Sequence, residues 1–250
     1  MTSEGVGPTN GAAFSADEQR RASGLVLPDG ASKNLLVPQT PDRLVLTPAE
    51  KEKFGHVILL IWGPPGGGKS TTAPILAEKT GMDIIELDDE VEKDAGRTIK
   101  ELWDDRGERY FRQWESSSFL KAMRPENKGK IISCGGGVLV EDRNLALVVD
   151  TEYAIPAYLF APEHVLLDRV LKDKDHSRPG LSDVEYEKAK ATMSERVRTR
   201  GPRYGIANIA VDTSRRTPEQ AADYIIKQGL KIIDKKGLAP RSPKTQSASI

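Results

Sequence analysis

The chain has 250 residues, with 37 Lys+Arg balanced by 37 Asp+Glu for a formal net charge of zero. That balance argues against a nucleic-acid or membrane-surface binder, because both need an excess of positive charge. Cys134 is the only cysteine, which excludes an internal disulfide and a multi-cysteine zinc site, and His56, His164 and His176 lack the spacing of a histidine metal cluster. No apolar run approaches the ~18–20 residues that cross a bilayer. Met1–Gly11 has neither a positive n-region nor an apolar h-region, so the expected location is the cytoplasm.

Residues 1–53 are rich in proline and glycine and contain one aromatic, Phe14. Such a stretch buries too little apolar area to offset about 1–2 kcal/mol of chain entropy per residue, so it reads as a disordered or loosely docked N-terminal arm. From 54 to 233 the pattern alternates. Apolar, often β-branched runs at 57–62, 83–87, 130–133, 155–160 and 206–212 predict strands. Amphipathic stretches at 69–80, 97–104, 108–123, 162–172, 183–200 and 218–228 predict helices. Continuous apolar strands separated by helices indicate a parallel sheet covered on both faces, an α/β fold of three layers. Residues 234–250 carry lysine and arginine among serine and proline, and read as a flexible C-terminal tail.

The first strand runs into Gly63-Pro64-Pro65-Gly66-Gly67-Gly68-Lys69-Ser70-Thr71, the phosphate-loop pattern between a buried strand and a helix. Glycines let backbone N–H groups turn inward around phosphate oxygens, and the helix that follows points its positive end at them. Gly66, Gly67, Gly68, Lys69, Ser70 and Thr71 are therefore the candidate nucleotide-binding residues. Lys69 is suited to the β- and γ-phosphates and the Ser70 hydroxyl to Mg²⁺. A plain glycine-rich turn would require neither the lysine nor the hydroxyl. Pro74 lies one turn inside the helix, where it removes a hydrogen bond and can kink it. No Asn-Lys-x-Asp guanine-reading motif follows, which disfavours a GTPase.

After the second strand comes Glu86-Leu87-Asp88-Asp89. Side chains two apart on a strand share a face, so Glu86 and Asp88 are expected to project together from the strand's carboxyl end, where open parallel sheets bind ligands. One carboxylate would hold Mg²⁺ through water and the other accept a hydroxyl proton, while Asp89 caps a helix starting near Glu90. Arg112 lies one turn from both Glu108 and Glu115, which by itself predicts a surface ion pair worth under ~1 kcal/mol. Gly135-Gly136-Gly137 closes the third strand, a sign of close backbone approach to a ligand or another chain. His176–Leu181 reads as a mobile lid offering Arg178 to phosphoryl charge. Arg196, Arg198 and Arg200 would, taken alone, be a solvated basic face.

In combination these segments resemble the shikimate kinases, within the P-loop nucleoside-monophosphate-kinase superfamily, over roughly residues 56–228. The motifs that carry the resemblance are the phosphate loop, Glu86-x-Asp88, Gly107-Glu108-x-x-Phe111-Arg112, Gly135-Gly136-Gly137, Arg178-Pro179 and Arg200-x-Pro202-x-Tyr204. The resemblance implies a five-stranded parallel sheet with lid and substrate-binding subregions. It implies that Asp88 and Gly136 bind shikimate hydroxyls, that Arg112 and Arg200 clasp its carboxylate, and that Arg178 reaches over the nucleotide. Val211–Pro218, with Arg216 and Pro218, resembles the family's adenine-contacting loop. The metal-side acidic position, usually Asp in that family, is Glu86 here, and the lid lacks an extra arginine before Arg178.

The activity so implied is transfer of the ATP γ-phosphate to the 3-hydroxyl of shikimate, with ATP and Mg²⁺ as cofactors. Asp88, Lys69 and Arg178 carry the chemistry, and Gly135, Gly136, Gly137, Arg112 and Arg200 hold the substrate. The expected partner is this small molecule, bound by a monomer. Two other readings stay open: a related kinase for another polyol acid such as gluconate, and a non-catalytic relative that binds nucleotide.

Overall fold

The computed structural model describes residues 44–173, 181 and 184–239. Five parallel strands form one sheet, in the order β2-β3-β1-β4-β5. They are β1 Ile58–Gly63, β2 Asp83–Glu86, β3 Lys130–Gly135, β4 Ala154–Phe160 and β5 Ile209–Asp212. Between and around them run α1 Pro48–Phe54, α2 Lys69–Thr80, α3 Leu87–Ala95, α4 Ile99–Ala122, α5 Asp142–Asp150, α6 Glu163–Lys172, α7 Tyr186–Arg200 and α8 Pro218–Lys236. The five expected strands all form, and helices cover both faces.

β1 is central and buried along its whole length. Its alternate side chains divide between two cores, as the pleat requires. Leu59 and Ile61 pack with α1, α2 and α8 through Phe54, Leu76, Ala222 and Ile225. Ile58, Leu60 and Trp62 pack on the other face with Phe119 of α4, Met123 just beyond it, Val148 of α5 and Tyr204. Smaller clusters tie α6 to α7 through Leu167, Val170 and Met193, and α3 to α4 through Val91, Leu102 and Phe111. β1 lies between β3 and β4, so its carboxyl end opens on the crevice where doubly wound sheets bind ligands.

Several boundaries differ from expectation. The packed chain begins before residue 53: Leu44 and Leu46 already lie against the core, and Thr47 starts α1 with a reciprocal capping box to Glu50. Phe54 is fully buried, and its ring lies so close to Gly229 of α8 that a methyl group there would stand 3.2 Å from it. At the other end α8 continues past 233, and Leu238 and Ala239 still touch the core. Residues 1–43 and 240–250 lie outside the described residues, and so does Arg178 with most of the expected lid. The two helices expected at 97–104 and 108–123 abut across Gly107, whose φ of 74° and ψ of −175° interrupt α4. Two helices, α1 and α5, were not expected, and α3 starts at Leu87 rather than near Glu90. Pro74 is accommodated within α2, which is continuous to Thr80.

Candidate active site

The phosphate loop joins β1 to α2 with Gly68 as the N-terminal cap at φ 90°. The loop is pinned from behind: a methyl group on Gly63 would collide with the Leu159 carbonyl, and one on Gly67 would lie 3.0 Å from it. Lys69, at the first position of α2, donates from Nζ to the Gly63 carbonyl at 2.9 Å and the Pro64 carbonyl at 3.2 Å. Ser70 and Thr71 are exposed at the helix mouth, and Thr71 donates to the Gly68 carbonyl at 2.9 Å. The helix end thus presents its first-turn N–H groups, an ammonium and a hydroxyl at one place, which is the equipment for polyphosphate.

Sequence reasoning missed Arg169. From α6 it donates to the Gly66 carbonyl at 3.0 Å, the Thr213 hydroxyl at 2.9 Å and the Thr213 carbonyl at 2.9 Å. It thereby locks the phosphate loop to the segment after β5. No local signal marks it, since it is one arginine on an amphipathic helix. Beyond Thr213, Arg216 lies over the Tyr224 ring at 4.7 Å and donates to the Asp212 carbonyl at 3.3 Å. Pro218 is the first residue of α8. The expected adenine loop therefore borders the phosphate loop.

On the acceptor side, Glu86 and Asp88 do not extend from one strand. β2 ends at Glu86, which is the N-terminal cap position of α3, and Asp88 and Asp89 both lie in that helix's first turn. Asp89 is not the cap. The chain switches from period 2 to period 3.6 at Leu87 because Leu87 and Val91, four apart, are both fully buried. Asp88 is exposed, and its charge complements the positive helix end. Glu86 is half-buried. Burial raises its carboxyl pKa, a hydrogen bond from Ser133 opposes the rise, and the charges of Asp88 and Asp89 add to it, while Lys69 lowers it.

Arg112 is not on the surface. Its side chain is 11% exposed and that of Glu115 only 3%, with Nη1 to Glu115 Oε2 at 2.6 Å. Glu108 accepts from Nε at 3.2 Å and from Nη2 at 2.9 Å. Burial works against the Arg112 charge, but the two glutamates outweigh it and its pKa moves up. Burial also raises the pKa of Glu115. Arg112 counters this most, Asp88 adds to the rise and Arg200 reduces it. The Glu115 carboxylate is thus paired with Arg112 and feels the charges of Asp88 and Arg200. Glu115 was foreseen only as a surface ion-pair partner; its i+3 spacing from Arg112 was the available signal.

The glycine turn closes this pocket. A side chain on Gly137 would run into the Arg112 guanidinium, and one on Gly136 into the Tyr204 hydroxyl. The turn also joins the two halves, because the Gly136 N–H donates at 3.0 Å to the same Gly63 carbonyl that receives Lys69. Asn144 of α5 braces it by donating to the Val138 carbonyl at 2.8 Å and the Ser116 hydroxyl at 2.9 Å.

A glycine loop equipped for polyphosphate is joined through the Gly136 N–H to the glycine turn that packs on the buried Arg112. A family model described as shikimate kinase matches residues 65–229, which include every motif of that pocket. The chain belongs to the shikimate kinase family. It is 33% identical over 168 residues to a shikimate kinase of Caldicellulosiruptor bescii, an alignment covering 67% of this chain and 92% of that protein. To a shikimate kinase of Caldanaerobacter subterraneus subsp. tengcongensis it is 31% identical over 174 residues, covering 70% of this chain and 96% of the relative. Among solved structures, the shikimate kinase from Acinetobacter baumannii in complex with shikimate aligns with a TM-score of 0.61 at 27% identity, over 76% of this chain and 99% of that one. The shikimate kinase from Bacteroides thetaiotaomicron has the same fold, with a TM-score of 0.61 at 24% identity over 71% of this chain and 98% of that one. Membership of this family implies ATP as the phosphoryl donor.

Proposed function

We propose that the chain transfers the γ-phosphate of ATP to the 3-hydroxyl of shikimate, giving ADP and shikimate 3-phosphate. The observation that carries this reading is the buried Glu115: Arg112 is bonded to it, the charges of Arg200 and Asp88 act on it, and the glycine turn packed on Arg112 is hydrogen-bonded to Gly63 of the phosphate loop. A substrate with one carboxylate and several hydroxyls needs planar cations for the first and acceptors for the second, and this pocket supplies both.

Phosphoryl transfer passes through a loose transition state, so positioning and charge neutralisation dominate over proton removal. Lys69 leaves the loop carbonyls for the β- and γ-phosphates. Arg112, held by Glu108 and Glu115, and Arg200 hold the carboxylate. The peptides of Gly135, Gly136 and Gly137 bound the ring, and Gly136 contacts a hydroxyl. Asp88 orients the 3-hydroxyl and takes its proton late. Arg178 is assigned to phosphoryl charge, and Arg216 and Pro218 to the adenine.

Among the described residues no three His, Cys, Asp or Glu side chains gather into a metal cage. Mg²⁺ does not require one, since it keeps several waters and binds through one or two protein oxygens plus substrate phosphates. Ser70 and Glu86 fit that role, and Glu86, raised by burial and two neighbouring carboxylates, is a site where a cation relieves repulsion. When bound, the ion would neutralise charge on the phosphate oxygens. The longer arm of glutamate, relative to aspartate, suits contact through a metal-bound water.

The test is ADP release with shikimate, quinate and gluconate as acceptors, comparing wild type with Lys69→Ala. Shikimate-dependent turnover that Lys69→Ala abolishes is expected. Turnover with gluconate alone, or nucleotide binding with no phosphorylated acceptor, would overturn the reading.

A further inference from the structure

Thr213 is the residue that follows β5, and it is buried. Its N–H and its hydroxyl both donate to the carbonyl of Phe160 at the end of β4, at 2.8 and 3.1 Å. The hydroxyl also accepts from Nη1 of Arg169 at 2.9 Å, and the same Nη1 donates to the Gly66 carbonyl at 3.0 Å. Nη2 of Arg169 donates to the Thr213 carbonyl at 2.9 Å. The Thr213 methyl faces the phosphate loop, where a carbon added to Gly68 would stand 3.7 Å from it. One turn before Arg169, α6 meets the loop again, because a methyl group on Gly66 would run into the Leu166 carbonyl. Around Thr213 the chain is folded on itself. The Asp212 carboxylate accepts from the Ser214 N–H at 3.0 Å and the Ser214 hydroxyl at 2.6 Å, and the Asp212 carbonyl accepts from Arg216 at 3.3 Å.

We propose that Thr213 is a positioning residue for the nucleotide, its hydroxyl fixing the Arg169 guanidinium and with it the register between the phosphate loop and the loop assigned to adenine. The inference rests on the nucleotide half of the reading above and adds a residue to it. The two loops are far apart in sequence, and the Arg169–Thr213 pair joins them. An arginine can only donate, so the hydroxyl must accept from Nη1 and turn its own proton to Phe160. Both roles of that oxygen are thereby filled. The methyl group against Gly68 holds the β-branched side chain in one rotamer. Arg169 is gripped through two nitrogens by three oxygens, which leaves its planar fork one placement. ATP bridges the two loops, with its phosphates on one and its base on the other, and the length between them is fixed. An error of register is therefore felt by a ligand that engages both loops, and not by one that engages the phosphate loop alone.

Thr213→Val removes the hydroxyl and keeps the branched shape. Calorimetry without acceptor compares ATP, which spans both loops, with inorganic triphosphate, which engages the phosphate loop alone, each with Mg²⁺. With a hydrogen bond from a charged donor lost, ATP affinity is expected to fall about tenfold while triphosphate affinity stays within about twofold. In turnover the ATP KM should rise by the same factor as the ATP affinity falls, with the shikimate KM unchanged. Thr213→Ser, which restores the hydroxyl, should recover ATP affinity. In an Arg169→Met background Thr213→Val should add little. If Thr213→Val does not fold, Arg169→Lys, which keeps the charge but lacks the planar fork, tests the same link by the same split between ATP and triphosphate. Unchanged ATP affinity in a folded variant, or equal losses for ATP and triphosphate, would overturn the proposal. Because the affinities are read without acceptor, a wild type that binds ATP but does not turn over shikimate would overturn the functional reading alone.

Discussion

Removing the Glu115 carboxylate tests whether the acceptor pocket is built on a buried ion pair. An exposed Arg–Glu pair one turn apart contributes under about 1 kcal/mol. Here Nη1 of Arg112 and Oε2 of Glu115 are 2.6 Å apart, with side chains 11% and 3% exposed. Deleting one member of such a pair strands the other charge and costs about 3–5 kcal/mol. In a chain of this size each kcal/mol moves Tm by about 2–4 °C, so Glu115→Ala should lower Tm by roughly 6–20 °C. The lower half of that range is expected, because Glu108, its side chain 52% exposed, still holds Nε and Nη2 of Arg112. Thermal melts of wild type, Glu115→Ala, Arg112→Met and the double variant decide the matter. The double variant should melt above Glu115→Ala, since it leaves no buried charge alone. The shikimate KM of Glu115→Ala should rise at least about tenfold as the guanidinium loses its orientation. A Glu115→Ala protein with wild-type Tm and KM would refute the reasoning.

Asp88→Asn should lower kcat by roughly 10²–10⁴ with little change in shikimate KM, whereas Arg200→Ala should mainly raise that KM; near-normal turnover of Asp88→Asn would reassign the proton acceptor. Phe54→Ala empties a fully buried site against Gly229 and should cost about 3–5 kcal/mol in urea unfolding. A negligible loss would mean that α1 is not integral to the core. Alkaline stability should reflect Tyr204. The unfolded phenol ionises near 10 and the folded one at about 12, so the folded state keeps a proton the unfolded chain has lost. The stabilisation is complete below pH 10 and is lost as the pH rises to 12. Urea midpoints from pH 9 to 11.5 should therefore fall more for wild type than for Tyr204→Phe, and parallel curves would argue against it.

The strands were legible because each is a continuous apolar run, and burial on both faces demands nothing subtler. The phosphate loop was legible because its chemistry is local, residue next to residue. Where a functional element changes period, the reading failed. Glu86-x-Asp88 looked like one strand face, yet Leu87 and Val91 turn the chain into α3 three residues earlier than expected. Arg112 shows a different limit: its neighbours Glu108 and Glu115 were plain in the sequence, but the glycine turn packed against its guanidinium comes from a distant part of the chain. Arg169 had no local signature, because its partners Gly66 and Thr213 come from other parts of the chain. The packing of Leu44 and Leu46 ahead of α1 was missed because a proline-rich composition concealed two core leucines and a capping box.

The sheet order also bears on how the protein is made. β1, apolar along its length, finds no partner in the strand that follows it; it must wait for β3 on one side and β4 on the other. A nascent chain ending anywhere before Phe160 therefore holds a sticky ribbon with at least one bare edge. Such remote pairing slows assembly, since the intervening loops must close first. Fragments that stop short of β4 are thus the species most prone to clump, and a chaperone that covers β1 would be protecting the strand on which the phosphate loop is later built.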